Sequence, residues 1–448
     1  MDRREWLVTW ARMAGAAIVA GACGDNVPPP PREDEDSALP MVGPDHDTVA
    51  LPPDFLFGTF EVRQDSAIAW IAGGSAVTAE VEIVSIADAA PRRVGGVDLV
   101  QETGWTGVVR LDGLEPDTEY RYRALFAGLG YGPWLRLRTA PHPDDPGPVR
   151  VIFSADIGPR TEYYGVFAGM VEHDADLYLN LGDWPYADKV PAALTLEDFR
   201  ARHREVREPP EIQEFLWRQP VAAIYDDHDI INNWTSALAT SNPDLLAAGL
   251  QAWREWIPLE SAARQYRDFR WGRLAHFFVL DTRLYRDDPA ATGPEGRRML
   301  GDEQLAWLQD GLTSSTAAFK LIVTSVPFEF NGTDDDWGAF QEEKEILYAT
   351  VRDEAVTGVV FLSGDRHWFA ARHLEDGMRE YQVGPIAAGL GRYPESFPPD
   401  VVASALTRNY GMVTLEAAPD GTTATMKFEC FDDHHDCIYA ETTTAPIP

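Results

Sequence analysis

The feature that most constrains the fold is a series of short apolar runs beyond residue 149, four of which lead into a carboxylate. Continuous apolar runs of this length are typical of strands that are buried on both faces by helices. The runs span 149–153, 177–181, 222–225, 274–280, 321–326 and 359–362, and helical patterns at 165–172, 245–256, 302–312 and 340–354 alternate with them. Residues 149–448 are therefore predicted to form an α/β domain in which layered sheets are flanked by helices.

Acidic and histidine side chains follow four of these predicted strands. They stand in the strings Asp156-Ile157-Gly158, Gly182-Asp183-Trp184-Pro185-Tyr186, Asp226-Asp227-His228-Asp229 and Gly364-Asp365-Arg366-His367. A single acidic residue after a strand is usually a helix cap, but the ligand sites of α/β sheets lie at the carboxyl ends of strands. Carboxylates that converge there repel one another unless cations neutralise them, so the four strings together predict a multinuclear metal site.

The region before residue 142 has a different pattern, with short apolar runs separated by turn signals. Strands are predicted at 67–72, 79–86, 105–111, 120–126 and 134–137, and no helical period interrupts them. This pattern favours a separate antiparallel β-sandwich over residues 53–141. The stretch from Leu111 to Tyr122 resembles the end of a fibronectin type III-like (Ig-like) domain, in which a tyrosine pins the strand that follows a corner. The proline-rich segment 141–148 marks the boundary.

The first residues resemble an export signal over 1–23. Arg3 and Arg4 precede an apolar stretch at 13–22, and the pair is similar to a twin-arginine motif. The string Ala20-Gly21-Ala22-Cys23 resembles a lipobox, in which Cys23 is lipidated; a plain signal peptide with an incidental cysteine is the alternative. Residues 24–52, rich in proline and acidic residues, are predicted to be a disordered tether. The protein is therefore expected in the cell envelope, the periplasm or the extracellular space, with a membrane contact only through a lipid at Cys23.

Charge and cysteine content limit the partners and the covalent framework. With 38 Lys+Arg and 72 Asp+Glu, the formal net charge is −34, which argues against nucleic acid or anionic lipid as a surface partner. Three cysteines cannot form a disulfide scaffold. If Cys23 is lipidated, Cys430 and Cys437 remain, and either a disulfide between them or two free thiols fits an exported protein. No apolar stretch after the first thirty residues is long enough to span a bilayer.

Three long strings identify a family that the chain resembles. They are Asp226-Asp227-His228-Asp229-x-x-Asn232-Asn233-Trp234, Leu280-Asp281-Thr282-Arg283-Leu284-Tyr285-Arg286 and Leu362-Ser363-Gly364-Asp365-Arg366-His367. A fourth string supports them, Gly301-Asp302-Glu303-Gln304-Leu305-Ala306-Trp307-Leu308. Over residues 55–444 the chain resembles PhoD-like alkaline phosphatases, which are metallophosphoesterases with an amino-terminal β-domain. The resemblance implies an α/β metallophosphoesterase domain that hydrolyses phosphoric esters.

One position departs from that family. PhoD-like proteins usually have a cysteine ligand after the first catalytic strand, where this chain has Asp156. The motifs Asp156-x-Gly158 and Gly182-Asp183-x-x-Tyr186 are instead similar to those of purple acid phosphatases. Because one anionic ligand replaces another, a trivalent metal is still expected, although a carboxylate is a harder ligand than a thiolate.

The resemblance and the donor types together imply two groups of metal ligands. The first group consists of Asp156, Asp183, Tyr186 and His367. A tyrosinate near neutral pH points to iron(III), whereas a core tyrosine is the alternative for this side chain. Asp183 bridges to a second cation, which is held by Asp227, Asp365 and either Asn232 or Asn233. The expected cofactors are therefore Fe(3+) and Ca(2+), with Mg(2+) or Mn(2+) as alternatives to calcium, because oxygen ligands suit these ions better than zinc.

The remaining candidates act on the substrate. His228 is expected to protonate the leaving alkoxide or to stabilise charge on the phosphoryl group, and Asp229 to fix the tautomer of His228. Arg283 and Arg366 are candidate phosphate clamps, because a guanidinium pairs with two phosphate oxygens. A structural salt bridge is the alternative for each arginine.

The sequence therefore predicts an exported phosphohydrolase of phosphomonoesters, phosphodiesters or both, in which a metal-bound hydroxide attacks phosphorus in line. The substrate is expected to be a small phosphoester or a phosphodiester of the cell envelope. A purple-acid-type acid phosphatase is one alternative. The other is a catalytically idle binding protein that keeps the fold at the cell surface.

Overall fold

The structure is a computed structural model that describes residues 54–88, 90–261, 264–330 and 333–448. The predicted export signal, Cys23 and the tether lie outside these residues. The strands of the described part are β1 (Leu56–Phe60), β2 (Ser66–Ala72), β3 (Val77–Ser85), β4 (Arg92–Leu99), β5 (Thr106–Asp112), β6 (Glu119–Phe126), β7 (Gly130–Tyr131), β8 (Leu135–Arg138), β9 (Val149–Ser154), β10 (Leu177–Asn180), β11 (Val221–Ala223), β12 (Arg267–Trp271), β13 (Ala275–Val279), β14 (Phe319–Val323), β15 (Val359–Ser363), β16 (Phe369–His373), β17 (Arg379–Gln382), β18 (Val401–Ala405), β19 (Asn409–Ala417), β20 (Thr423–Asp432) and β21 (Cys437–Pro446). The α-helices are α1 (Val166–Val171), α2 (Leu196–Glu205), α3 (Pro210–Arg218), α4 (Leu238–Ser241), α5 (Pro243–Trp256), α6 (Gly301–Ser314) and α7 (Gln341–Asp353).

Two large sheets form the centre of the molecule. The first has nine strands in the order β21-β20-β19-β9-β10-β11-β1-β2-β5, and the second has seven in the order β12-β13-β14-β15-β17-β16-β18. Strands β9, β10 and β11 run parallel in the first sheet, as do β13, β14 and β15 in the second. Parallel strands place the loops that follow them at the same edge of a sheet, which is where the predicted ligands lie.

The two sheets pack face to face. Successive side chains of a strand point to opposite faces, so neighbouring residues of β9 lie in different buried clusters. Val151 and Phe153 of β9 lie in one buried cluster with Leu321 and Val360 of the second sheet. Ile152, between them in sequence, belongs to a second buried cluster with residues of α1, α2, α3 and α5. A third buried cluster joins the outer face of the second sheet to α6 and α7. The predicted arrangement of layered sheets flanked by helices is therefore confirmed.

Helices α2 and α3 were not predicted from apolar periodicity, and their start signals explain why they form. The Thr195 side chain accepts a hydrogen bond from the backbone N–H of Asp198, and the Asp198 carboxylate accepts the backbone N–H of Thr195. This reciprocal capping box satisfies two N–H groups at the start of α2. Helix α3 begins with Pro210, whose fixed φ suits the first helical position.

The amino-terminal strands divide between two sheets. Strands β1, β2 and β5 extend the nine-stranded sheet, where β1 pairs in parallel with β11 through Phe60 and Val221. Strands β3, β4, β6, β7 and β8 form a smaller sheet. The region is mostly strands, as expected, but it is continuous with the α/β sheet, and the fibronectin type III-like assignment is not confirmed. A local counterpart of the tyrosine corner is present, since the Tyr120 hydroxyl accepts the backbone N–H of Glu115 at 2.8 Å.

The carboxyl-terminal strands test the predicted disulfide between Cys430 and Cys437. The Cys430 thiol is free and buried. On the antiparallel pair β20–β21, Cys430 lies opposite Tyr439, whereas Cys437 lies opposite Phe431 beyond a bulge. The predicted Cys430–Cys437 disulfide is therefore wrong, because Cys430 belongs to the buried cluster on one face of the sheet, whereas Phe431 and Cys437 belong to the cluster on the other. Among the described residues, no helix combines the length and the apolarity that crossing a membrane requires.

Candidate metal centre

The predicted site residues lie in the loops that follow four parallel strands. Asp156 follows β9, Asp183 follows β10, Asp227 follows β11 and Asp365 follows β15. The φ angles at Asp156, Asp183, Asp365 and His367 are positive, at 66°, 58°, 71° and 58°. Residues other than glycine adopt this left-handed region rarely, and such strained positions cluster at functional sites. The backbone strain therefore coincides with three of the four acidic strings of the sequence, those at 156–158, 182–186 and 364–367.

Two glycines allow these loops to approach one another closely. A Cβ at Gly182, where φ is 111°, would lie 2.6 Å from the Cβ of Asp226. A Cβ at Gly384, where φ is 102°, would lie 2.3 Å from Oδ2 of Asp156. Both the conformation and the contact exclude a side chain at these two positions.

Three overlapping groups of donors form the centre of the site. Within each group, one donor atom from every residue lies within 4.8 Å of the others, and the groups are Asp156–Asp183–His367, Asp183–Asp227–His228 and Asp226–Asp227–Asp365. Because Asp183 and Asp227 are shared, the groups are one continuous cluster. Among the described side chains, the buried Oδ2 atoms of Asp156, Asp183 and Asp226 accept no hydrogen bond. Buried acceptors without a partner are rare in native proteins, so these three indicate a cation site.

Tyr186 and His367 complete the first predicted ligand group. The Tyr186 hydroxyl lies 2.6 Å from Nε2 of His367 and 3.4 Å from Oδ1 of Asp156. Nδ1 of His367 donates to the carbonyl oxygen of Gly389 at 2.5 Å. With the proton on Nδ1, Nε2 presents its lone pair to the cluster, as a metal-binding imidazole requires. The structure thus brings together all four residues of this group.

The negative charges of the ionised side chains in the cluster repel one another when no cation is bound. Burial, followed by the charges of Asp227 and Asp226, raises the pKa of Asp183 well above its usual range. Burial and the neighbouring Asp156 raise the pKa of Tyr186. Burial also raises the pKa of Asp226 to about 6, against the opposing charge of Arg283. A bound cation favours the ionised form of every one of these donors, so the residues fit the metal ions that the sequence predicts.

This charge balance predicts how the stability of the metal-free protein depends on pH. A carboxyl group whose pKa is raised in the folded chain contributes stability below its unfolded pKa of 3.8, and this contribution is lost as the pH rises through the folded pKa, about 6 for Asp226. The Tm of chelator-treated protein is therefore expected to fall as the pH rises from about 4 to about 6, and to fall further above pH 6 because the pKa of Asp183 is raised well above its usual range. Added divalent or trivalent metal should restore the Tm most strongly at pH 8. A Tm of the metal-free protein that stays constant over this range, measured by scanning calorimetry, would contradict the charge balance.

The second predicted ligand group gains a residue that the sequence did not assign. Asp226 lies with Asp227 and Asp365, and one of its oxygens accepts hydrogen bonds from Nε of Arg283 at 2.5 Å and from Oγ of Ser325 at 2.6 Å. Its other oxygen is among the unpartnered acceptors described above. Asp226 stands in one of the strings that carry the family resemblance, so its position in the sequence already indicated that it lies at the site.

Asn232 and Asn233 lie beside this group on the exposed surface. The backbone N–H of Asn233 donates to Oδ2 of Asp227 at 2.7 Å, and that of Asn232 donates to Oδ2 of Asp188 at 3.1 Å. Both contacts orient carboxylates through the backbone. A ligand role for either side-chain oxygen stays a prediction.

His228 is oriented by a carboxylate that the sequence analysis missed. Its Nδ1 lies 2.9 and 2.8 Å from the two oxygens of Asp188, so Nδ1 carries the proton that Asp188 accepts. The predicted partner Asp229 serves another purpose, because its carboxylate accepts the backbone N–H groups of Asp183, Trp184 and Asp226. The role predicted for Asp229 is therefore wrong, and Asp188 takes it. The signal for Asp188 was its place two residues after the predicted ligand Tyr186.

The two predicted phosphate clamps differ in their surroundings. Arg283 is fully buried, and its Nε, Nη1 and Nη2 atoms donate to Asp226 and Asp335. The structural alternative therefore applies to Arg283, and its predicted contact with phosphate is wrong. The side chain of Arg366 is 15% exposed, with Nε 2.9 Å from Oδ2 of Asp365 and Nη2 3.3 Å from Oδ2 of Asp336. A phosphate contact by Arg366 stays a prediction.

The fold of this chain is shared with two solved structures. The structure is similar to that of PhoD, with a TM-score of 0.74 and 22% identity over 88% of this chain and 90% of that chain. It is also similar to the purple acid phosphatase PPD1 from yellow lupin (Lupinus luteus) seeds, with a TM-score of 0.64 and 13% identity over 88% and 75% of the two chains. At these identities the likeness shows the fold, which PhoD and this purple acid phosphatase share with the present chain.

The family follows from the sequence comparison. A family model described as PhoD-like phosphatase matches residues 152–408, more than half of the chain, and the chain therefore belongs to the PhoD-like phosphatase family. Alkaline phosphatase D of Bacillus subtilis (strain 168) is 28% identical over an alignment of 317 residues, and the match covers 60% of this chain and 54% of that protein. The chain thus spans about half the length of the curated relative that it matches. The resemblance found from the sequence strings is confirmed.

Proposed function

We propose that this protein is a metal-dependent phosphohydrolase that cleaves phosphomonoesters, phosphodiesters or both. The observation that carries the proposal is the single cluster in which Asp156, Asp183, Asp227 and His367 converge with three buried, unpartnered carboxylate oxygens. Membership in the PhoD-like phosphatase family supports it. Hard cations held by these residues supply the Lewis-acid charge that phosphoryl oxygens require during transfer.

His228 is the residue placed to move a proton. Its side chain is 12% exposed, and its Nδ1–H is held by Asp188, which leaves Nε2 as the atom available to the substrate. Burial lowers the pKa of His228, but its hydrogen bond to Asp188 and the charge of Asp227 outweigh burial and raise it. The imidazolium therefore persists at higher pH than that of an ordinary histidine. In this state Nε2–H can be given to the leaving alkoxide, the role of a general acid.

Two esters and a chelator test this proposal directly. Purified protein loaded with iron and calcium is expected to release nitrophenol from p-nitrophenyl phosphate, from bis(p-nitrophenyl) phosphate or from both, and chelation should abolish the release. Metal-loaded protein that hydrolyses neither ester would overturn the proposal. The acid-phosphatase alternative is favoured by Asp156, which stands where PhoD-like proteins usually have cysteine, and it predicts the highest rate below pH 6.

We also propose that the cations are iron(III), beside Tyr186, and calcium or another hard divalent ion. Because the Tyr186 hydroxyl lies with His367 and Asp156, its oxygen is positioned to act as a phenolate ligand. An iron(III)–phenolate pair absorbs visible light, so Tyr186→Phe should remove a visible absorption band. Tyr164→Phe is the matched control, since the Tyr164 hydroxyl donates to the carbonyl oxygen of Gly158. A colourless, fully active protein that contains only zinc would exclude iron.

Export by the twin-arginine route is proposed from the residues Arg3 and Arg4. A protein that folds around its metals before export suits this route, and the apolar stretch and Cys23 that follow are consistent with a lipid-anchored mature chain. Replacing both arginines with lysine should keep the protein in the cytoplasm, as measured by cell fractionation. A chain with a general secretory signal serves as the control. Unchanged export of the double variant would remove the proposal.

A further inference from the structure

The loop after Tyr186 places one lysine at the edge of the candidate metal centre. This loop, residues 187–194, is fixed to the protein at several backbone atoms. Nη2 of Arg202 donates to the carbonyl oxygens of Lys189, at 3.4 Å, and Pro191, at 2.5 Å. The backbone N–H of Ala193 donates to the carbonyl oxygen of Ala187 at 2.8 Å. The position of Lys189 is therefore set by the fold.

The ammonium group of Lys189 lies beside the substrate-facing atom of the general acid. Its Nζ is 3.5 Å from Nε2 of His228 and 4.0 Å from Oδ1 of Asp188, and it lies 5.4 Å from the centre of the Tyr186 ring. The side chain is 53% exposed. These contacts are long for hydrogen bonds of a charged donor, so the ammonium can turn to a ligand at little cost.

The two arginines near the site, Arg283 and Arg366, both form ion pairs with carboxylates. Arg283 is fully buried between Asp226 and Asp335, and Arg366 pairs with Asp365 and Asp336. Lys189 thus differs from both, because it combines exposure with a position next to His228. An ammonium group offers three donors and acts as a point charge, which suits an oxygen of a phosphoryl group.

We propose that Lys189 binds a non-bridging oxygen of the substrate's phosphoryl group and favours phosphomonoesters over phosphodiesters. This inference rests on the proposed phosphohydrolase function. A monoester of phosphate has a second pKa near 6, so it carries nearly two negative charges at neutral pH, whereas a diester carries one. A cation at this position therefore stabilises the bound monoester more than the bound diester.

Binding of inorganic phosphate to the metal-loaded protein tests the contact without any turnover. Titration calorimetry at pH 8 is expected to show about tenfold weaker binding for Lys189→Met than for the natural protein, in line with loss of a hydrogen bond from a charged donor. Lys189→Arg should recover most of the affinity. Lys427→Met is the matched control, because Lys427 lies on β20, is 44% exposed and pairs with Glu429. All variants should keep the metal content of the natural protein.

Kinetics on two esters test the selectivity. For p-nitrophenyl phosphate, Lys189→Met should lower kcat/KM by about tenfold, mainly through KM, and for bis(p-nitrophenyl) phosphate the loss should be clearly smaller. Phosphate binding that is unchanged in Lys189→Met would overturn the proposal. Equal losses on the two esters would overturn the selectivity. If the natural protein binds phosphate but hydrolyses neither ester, the proposed function fails, whereas the calorimetric comparison still decides the contact.

Discussion

Asp183→Asn is expected to remove bound metal and to reduce turnover by roughly 10³-fold, because the cations supply several kcal/mol of charge stabilisation in the transition state. Asp183 belongs to two of the three donor groups, and its Oδ2 is one of the buried acceptors without a partner. Asparagine keeps the size of the side chain and tolerates the positive φ of 58° at this position, so the variant tests the charge rather than the fold. The measurements are elemental analysis and the rate with p-nitrophenyl phosphate.

A matched control lies at the other end of the same strand. Asp174 also has a positive φ, of 46°, but its carboxylate pairs with Arg136 ahead of β10, away from the donor cluster. Asp174→Asn should therefore keep both the metal content and the rate. If Asp183→Asn retains all its metal, Asp183 does not bridge the two ligand groups, and the assignment of the centre is wrong.

His228→Ala is expected to lower turnover by about 10²–10⁴-fold, the range for a positioned general acid, while the metal content stays near that of the natural protein. The hydrogen bonds of His228 to the predicted ligands are made by its backbone N–H, which lies 3.0 Å from Oδ1 of Asp183 and 2.9 Å from Oδ1 of Asp227. Alanine retains this N–H. His373→Ala is the control, because His373 is exposed and pairs with Glu441.

The dependence on the leaving group separates proton donation from other roles of His228. Nitrophenolate leaves without protonation, so the loss of rate should be smaller for nitrophenyl esters than for alkyl esters. Asp188→Asn should show the same dependence with a smaller loss, since it disturbs only the orientation of the imidazole. Loss of metal from His228→Ala would make the residue a ligand, as its proximity to Asp183 and Asp227 also permits.

The sequence predicted where the site lies because strand ends are local features. A carboxylate that directly follows an apolar run must lie at the carboxyl end of that strand, so Asp156, Asp183, Asp227 and Asp365 could be placed before their neighbours were known. The structure brings these residues together as the strings indicated.

Contacts between distant segments could not be read in the same way. The partner of His228 depends on a loop 40 positions earlier, and Asp188 lies within hydrogen-bond distance only after that loop has folded. Arg283 was predicted as a phosphate clamp because its charge is visible in the sequence, whereas its burial against Asp335 is not. Roles that depend on a partner far along the chain need the three-dimensional structure.

The same limit explains the errors in the fold. Six strands of the α/β region, β9, β10, β11, β13, β14 and β15, and four of its helices were found from their apolar residues. Strands β12 and β16 to β21 were not found, and α2 and α3 depend on their caps. A sandwich and an extension of the main sheet show the same alternation of apolar residues, so the sequence could not separate these two arrangements for β1, β2 and β5. The strand register of β20 and β21, which places Cys430 opposite Tyr439 and not opposite Cys437, could not be predicted from the sequence either.

The parallel pair β1–β11 has a consequence for the order in which the chain folds during synthesis. Phe60 pairs with Val221, so the partner of β1 is synthesised about 160 residues after β1 itself. At roughly 5–20 residues per second, the ribosome needs about 10–30 s to supply it. A β1–β2–β5 sheet that forms in this interval has an open edge at β1, and an open edge can recruit strands of other chains. A fragment cut at residue 141 lacks β11 and keeps that edge of β1 open permanently.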